Sequence, residues 1–132
     1  TMIFKSLLSP VTKRHVERRV LQNTHPLHLF RIIQDVDQYK NFLPLCSYSK
    51  IIRRSPDGRS FDGKLIVGNL LFSEEYVSRV TVSPEQLTIQ TESIVSQRFD
   101  SLKSRWTLGE VEGDFTDGVI CCDVDFEVEM TV

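Results

Sequence analysis

The sequence lacks the features that identify several large classes of protein. No stretch approaches the run of roughly 20 apolar residues that a membrane-spanning helix needs, so we expect any membrane contact to be peripheral. The chain has six glycines and neither a Walker nor a dinucleotide-binding pattern, so no phosphate-binding loop is predicted. All three histidines fall within the first 28 residues, and neither a Ser-His-Asp nor a Cys-His arrangement can be argued. The sequence therefore offers no catalytic residue, and we expect a protein that is not an enzyme.

Cysteine is also scarce. Cys46, Cys121 and Cys122 form no disulfide framework, and the adjacent pair would point to opposite faces of a strand. Such usage predicts reduced thiols in an intracellular compartment.

His25 and His28 are three residues apart, but a proline lies between them and no cysteine is near, so we interpret them as a solvated helix start rather than a metal site. We predict no metal.

Charge is distributed unevenly along the chain. Residues 1–59 hold 11 Lys and Arg against four Asp and Glu, whereas residues 60–132 hold five against 14. Either a basic face meets an anionic membrane or nucleic acid, or the opposite charges interleave in the fold and cancel. Residues 1–14 are basic and free of acidic residues, which is typical of an N-terminal arm or the remnant of an organellar transit segment. We assign residues 15–132 to one domain.

Hydrophobic periodicity predicts an α+β fold. A first strand at His15–Gln22 is followed by a helix that starts around Thr24 and Pro26, and from Cys46 onward the period changes to two. Six further strands follow, and in the last of them apolar residues from Ile120 to Val132 alternate with mostly acidic ones. We expect a curved antiparallel sheet with two short N-terminal helices. These helices are too short to cover the sheet, so either a C-terminal helix or another chain must do so.

Residues 35–46 are the segment of the sequence that says most about local structure and a possible ligand site. Asp35 and Gln38 have the spacing of a capping box, and Val36, Tyr39 and Phe42 recur every third residue along one helical edge. The helix then stops at Pro44, which leaves a short apolar loop, Phe42, Leu43, Pro44 and Leu45, with little polar cover. Such a loop either fills a core or borders a site for an apolar ligand.

The apolar face of the sheet is the second part of the candidate site. Inward-facing side chains would either enclose a cavity or fill a core. The predicted members of this face are Leu65, Val67, Tyr76, Val80, Trp106, Val124 and Phe126. Together with Tyr39 and the residues of the apolar loop, they form our predicted ligand-binding set.

Six short motifs share their order and spacing with a known family. They are Glu17-Arg-Arg-Val20, Val36-Asp-Xaa-Tyr39, Phe42-Xaa-Pro44-Xaa-Cys46, Leu65-Xaa-Val67-Gly68, Glu74-Xaa-Tyr76-Xaa-Ser78, and Phe99 with Leu102 and Trp106. With these motifs the chain resembles the mitochondrial coenzyme Q-binding proteins, a branch of the START-like (polyketide cyclase and lipid transport) superfamily. The resemblance covers residues from about 15 to 130.

The resemblance implies a helix-grip fold, in which a curved sheet wraps around a long C-terminal helix that these residues do not contain. It implies a non-catalytic binding protein or chaperone for coenzyme Q (ubiquinone) or its polyisoprenoid intermediates, with no covalent cofactor. Its partners would be this lipid, an anionic membrane and a respiratory or quinone-biosynthesis complex, at the matrix side of the inner mitochondrial membrane. In such a fold, Tyr39 and the apolar loop flank the cavity entrance.

Two other functions stay open. Bacterial relatives in the superfamily include a ribosome-association factor, so the chain is alternatively an interaction module for RNA or a protein complex. An enzyme acting on a polyketide-like ligand ranks last, because no proton-transfer residue can be named.

Overall fold

The computed structural model describes residues 11–69, 71–96, 99–111 and 120–131. Within these ranges, seven strands form one antiparallel sheet, and the only helices are an α-helix and a 3-10 helix that precede the second strand. The elements are β1 (Thr12–Gln22), α1 (Pro26–Gln34), the 3-10 helix η1 (Val36–Asn41), β2 (Cys46–Arg54), β3 (Ser60–Gly68), β4 (Ser73–Ser83), β5 (Thr88–Ser96), β6 (Ser101–Glu110) and β7 (Cys121–Thr131).

The strands lie in the order β1-β7-β6-β5-β4-β3-β2. The predicted curved antiparallel sheet is therefore confirmed. One predicted boundary was wrong: β1 begins at Thr12, three residues before the predicted start at His15. Thr12–Arg14, within the predicted arm, pair with β7, and residues 1–10 lie outside the described part of the chain. No helix in the described part is long and apolar enough to cross a membrane.

The core lies between the inner face of the sheet and the two helices. Phe30 of α1 and Val36 of η1 are buried against apolar residues of β3 to β7, and opposite partners such as Phe61 and Val80 share this face. The buried apolar residues are Phe30, Val36, Phe61, Val80, Val82, Ile89, Leu108, Cys122 and Val124. The alternation predicted for β7 is confirmed, because Cys122 and Val124 are buried while Asp123 is exposed.

The predicted capping box is wrong. Asp35 makes no side-chain capping bond to η1, and the Gln38 side chain is bonded elsewhere, its Oε1 accepting from Asn41 Nδ2 at 2.7 Å. Residues three apart eclipse in a 3-10 helix, so the spacing of Val36 and Tyr39 suits this helix type better than an α-helix. The side chain of Val36 packs over Gly63, where an added Cβ would lie 3.3 Å from Val36 Cγ1.

Two side chains, the buried Ser49 and the half-buried Asp37, attach η1 to β2 by hydrogen bonds. Ser49 Oγ accepts from the Lys40 amide at 3.0 Å and donates to the Asp37 carbonyl oxygen at 3.2 Å. Asp37 Oδ1 in turn accepts from the Ile51 amide at 2.7 Å. These bonds fix the direction in which the loop after η1 leaves the sheet.

The charge asymmetry of the sequence is partly cancelled where the first and last strands meet. Arg14 of β1 lies 2.7 Å from Glu127 of β7, and Arg18 lies 2.9 Å from Asp125. Glu127 also accepts from Arg105 of β6 at 3.1 Å. Opposite charges therefore interleave on the outer face at this edge, as one of the two interpretations predicted.

Candidate apolar ligand site

An apolar cavity of about 310 Å³ lies beneath α1, against β1, β6 and β7. Leu29 and Ile33 are four residues apart on α1, so both project from the same side of the helix. Trp106 and Phe126 face them from the sheet, with ring centroids 4.5 Å apart. The cavity is lined by Glu17, Arg19, Leu21, Leu29, Ile33, Trp106, Val124 and Phe126. Its volume is at the lower end of the range for small-molecule sites.

Charged residues of β1 border this cavity. Glu17 lies opposite Phe126, and Arg19 lies opposite Val124, so both are on the inner face of the sheet. Glu17 carboxylate oxygens lie 3.0 Å from His15 Nε2 and 3.4 Å from Arg19 Nε. The bond to His15, and after it the charge of Arg19, lowers the pKa of Glu17. The cavity therefore has an apolar interior and a charged rim of Glu17 and Arg19, with His15 bonded to Glu17.

The site predicted from the sequence did not include this rim or α1. Residues 15, 17 and 19 alternate along β1, but their polarity gave no reason to place them on the apolar face. The pairing of β1 with β7 provides that reason, and it depends on a contact between the two ends of the sequence.

The predicted site residues do not form one cluster. Trp106, Val124 and Phe126 line the cavity, whereas Val67 and Tyr76 line another pocket, of about 220 Å³, on β3 and β4 towards the other edge of the sheet. Val80 is part of the buried core, and Leu65 packs against that core. The second pocket also includes Glu74, which accepts a hydrogen bond from the Tyr76 hydroxyl.

Tyr39 contacts both α1, which covers the cavity, and the apolar loop that follows η1. Its hydroxyl donates to the carbonyl oxygen of Ile33, and its ring meets Phe42 edge-on at a centroid distance of 5.6 Å. Burial, followed by the charge of Asp35, raises the pKa of Tyr39 to about 12. Phe42, Leu43, Pro44 and Leu45 are all exposed. That they flank a cavity entrance stays a prediction.

No three His, Cys, Asp or Glu residues in the described ranges come together as a metal site requires. His25 is the N-cap of α1, because its Nδ1 accepts a hydrogen bond from the Leu27 amide at 3.1 Å. Thr24, at the predicted helix start, donates instead to the Gln22 carbonyl oxygen. Burial raises the pKa of the Cys122 thiol.

Comparison with known proteins places these features in a family context. The chain is 31% identical over 99 residues to a mitochondrial coenzyme Q-binding protein of Dictyostelium discoideum, which covers 74% of this chain and 48% of that protein. It is also 31% identical over 83 residues to the ribosome association toxin RatA of Rickettsia prowazekii, covering 61% of this chain and 56% of that one. The resemblance to coenzyme Q-binding proteins is confirmed, and the chain spans about half the length of these relatives.

The fold is shared more widely than the sequence. The Zhui aromatase/cyclase of a Streptomyces species superposes with a TM-score of 0.70 at 12% identity, over 91% of this chain and 70% of that one. At that identity the likeness concerns the fold alone. A family model for polyketide cyclase/dehydrase and lipid transport matches residues 24–132. This chain therefore belongs to the polyketide cyclase/dehydrase and lipid transport family.

Proposed function

We propose that this chain is a non-catalytic binding protein or chaperone for coenzyme Q or its polyisoprenoid intermediates, serving quinone biosynthesis and respiration. The observation that carries the proposal is the apolar cavity around Trp106 and Phe126, in a chain whose relatives include proteins named for coenzyme Q binding. In this proposal the lipid is held without a covalent bond.

The composition of the cavity supports binding rather than catalysis. Its interior is formed by aliphatic and aromatic side chains from α1, β6 and β7. The charged groups lie at the rim, where the Glu17 carboxylate contacts His15 and Arg19. The interior would hold isoprenoid carbons or the face of a ring, while the rim would orient polar substituents.

The energetics suit a carrier. Burying about ten isoprenoid carbons at roughly 0.8 kcal/mol each gives about 8 kcal/mol before costs. Ordering the tail and losing free motion offset several kcal/mol of this gain. Exchangeable binding with a Kd in the micromolar range is the expected result.

The proposal extends to the cellular setting. We propose a peripheral position at the matrix side of the inner mitochondrial membrane, in contact with anionic lipid and with a respiratory or quinone-biosynthesis complex. The mitochondrial names of the coenzyme Q-binding relatives support the organelle.

Trp106 is the only tryptophan in the sequence, and it lines the cavity, which makes its fluorescence a direct reporter. Titration with a water-soluble short-tail ubiquinone analogue should quench this fluorescence saturably. Phe126→Asp places a charge in the interior and should abolish the saturable quenching. Glu92→Gln, on the exposed surface of β5, serves as control. Absence of saturable quenching in folded wild-type protein would contradict the proposal.

A second candidate is an interaction module for ribosomes or RNA, favoured by the likeness to the ribosome association toxin. The exposed cations to test are Arg31 of α1 and Arg53 and Arg54 of β2. Association that falls steeply with salt, in protein that shows no quinone binding, would favour this candidate.

A further inference from the structure

Five large apolar side chains stand exposed on two loops. In the loop between η1 and β2, Phe42, Leu43 and Leu45 are 54%, 39% and 63% exposed. In the turn between β3 and β4, Leu71 is 94% exposed and Phe72 is 62% exposed. We call these five residues the apolar tip. Single exposed apolar residues are ordinary, but a contiguous group of this kind marks an interaction surface.

The two loops are joined to each other. The Gly68 amide donates to the Leu45 carbonyl oxygen at 2.9 Å, and in the sheet Cys46 pairs with Val67. The apolar loop therefore lies beside the last residues of β3, from which the β3–β4 turn departs. The apolar side chains of the two loops therefore lie at the same end of the sheet.

Hydrogen bonds of the Asn69 side chain and backbone tie together the described residues of the β3–β4 turn. Asn69 Oδ1 accepts from the amides of Leu71 at 2.9 Å and Phe72 at 3.1 Å, and the Asn69 amide donates to the Phe72 carbonyl oxygen at 2.8 Å. Gly68 has φ +152°, and a Cβ there would lie 2.1 Å from that same oxygen. The turn therefore requires glycine, and it leaves Leu71 almost fully exposed, whereas Phe72 is largely exposed and borders the pocket of Val67 and Tyr76.

The neighbouring loop is internally bonded in the same way. The amides of Phe42 and Leu43 donate to the Tyr39 carbonyl oxygen at 3.2 and 2.8 Å, and the Cys46 amide donates to the Leu43 carbonyl oxygen at 3.3 Å. Pro44 has no amide hydrogen. Backbone groups that are bonded within the protein are what a segment needs if it is to leave water for hydrocarbon.

We infer that the apolar tip inserts into the boundary region of a lipid bilayer. The inference rests on the proposed function, because a carrier of a polyisoprenoid lipid must exchange its ligand with a membrane. Tyr48 lies just behind the tip, with the Lys64 ammonium 5.7 Å from its ring centroid, and tyrosine and lysine are favoured at the lipid–water interface. Lys64 is also paired with Glu75 at 3.1 Å, which balances the charge of this lysine, and we expect insertion to depend mainly on apolar contact.

Flotation with quinone-free vesicles tests this inference. Wild-type protein is compared with the double variant Leu71→Ser and Phe72→Ser on vesicles of phosphatidylcholine, with and without phosphatidylserine. Val16→Ser with Val20→Ser, two exposed residues on β1, is the matched control. Loss of two inserted side chains should lower vesicle partitioning on the order of a hundredfold with both lipids, and the control should stay within about twofold of wild type.

The outcomes separate this inference from the proposed function. The tip variant should keep saturable quenching of Trp106 by the short-tail quinone analogue, which shows that the fold and the cavity are intact. Wild-type protein that does not bind vesicles, or a tip variant that binds them as wild type does, would overturn the inference while leaving quinone binding standing. Concentration-dependent self-association that the tip substitutions abolish, without vesicle binding, would assign the tip to a second copy of the chain and would also overturn it.

Discussion

Filling the cavity with a larger side chain should weaken quinone binding without unfolding the protein. Ile33 of α1 lines the cavity, and Ile33→Phe replaces four side-chain carbons with seven. If the three additional carbons displace three ligand carbons, the loss is about 2.4 kcal/mol at ~0.8 kcal/mol each, or roughly fiftyfold in Kd. Stability should change by no more than about 1 kcal/mol, because the ring enters open space instead of a filled core.

The adjacent residue provides the control. Ile32 is 40% exposed and is absent from the cavity lining, so Ile32→Phe makes the same chemical change on the same helix. Quenching of Trp106 by the short-tail quinone gives the Kd of each variant, and urea unfolding verifies that both are folded. Unchanged affinity in Ile33→Phe, or equal losses in the two variants, would refute the assignment of this cavity as the binding site.

Three further predictions concern ionisation and backbone strain. Because the pKa of Tyr39 is about 12 in the folded protein and about 10 in the unfolded chain, stability should fall by roughly 2–3 kcal/mol as pH rises through this range. This alkaline loss should be absent in Tyr39→Phe, as measured by urea unfolding at each pH. Hydrogen bonds from Arg14 and then Arg105 lower the pKa of Glu127, so Glu127→Gln should be less stable than wild type at pH 7, and the difference should shrink as acid protonates the wild-type carboxylate. Equal differences at pH 7 and pH 3 would contradict this. Leu45 has φ 64°, a conformation that costs about 1 kcal/mol outside glycine, so Leu45→Gly should leave urea stability equal or slightly higher while it weakens vesicle binding; a marked destabilisation would contradict the strain argument.

The sheet could be predicted from the sequence because its signals are local. The apolar and acidic residues of β7 alternate along 11 positions, and the core and the outer face reproduce this alternation. The period of three around Val36 and Tyr39 predicted a helix correctly, but the assumed capping box did not exist. The bonds that fix this helix instead join Asp37 and Lys40 of η1 to Ser49 and Ile51 of β2, and no local pattern indicates them.

The candidate site was harder to predict because a strand pattern identifies a face and not a position on it. Trp106 and Tyr76 both belong to the inner face, but they lie in different pockets because β6 and β4 are not neighbours. Glu17 and Arg19 were missed for a related reason, since their place beside the cavity depends on pairing between the first and the last strands. Leu71 and Phe72 were missed because a turn does not reveal which of its side chains remain uncovered.

The central claim is that this chain binds a polyisoprenoid quinone. Mass spectrometry of the lipid extracted from natively purified protein tests it most directly. We predict a polyisoprenoid quinone or a biosynthetic intermediate of one in wild-type protein, and its strong depletion in Phe126→Asp. Purified, folded wild-type protein that carries no isoprenoid lipid, and takes none up from quinone-containing vesicles, would contradict the account.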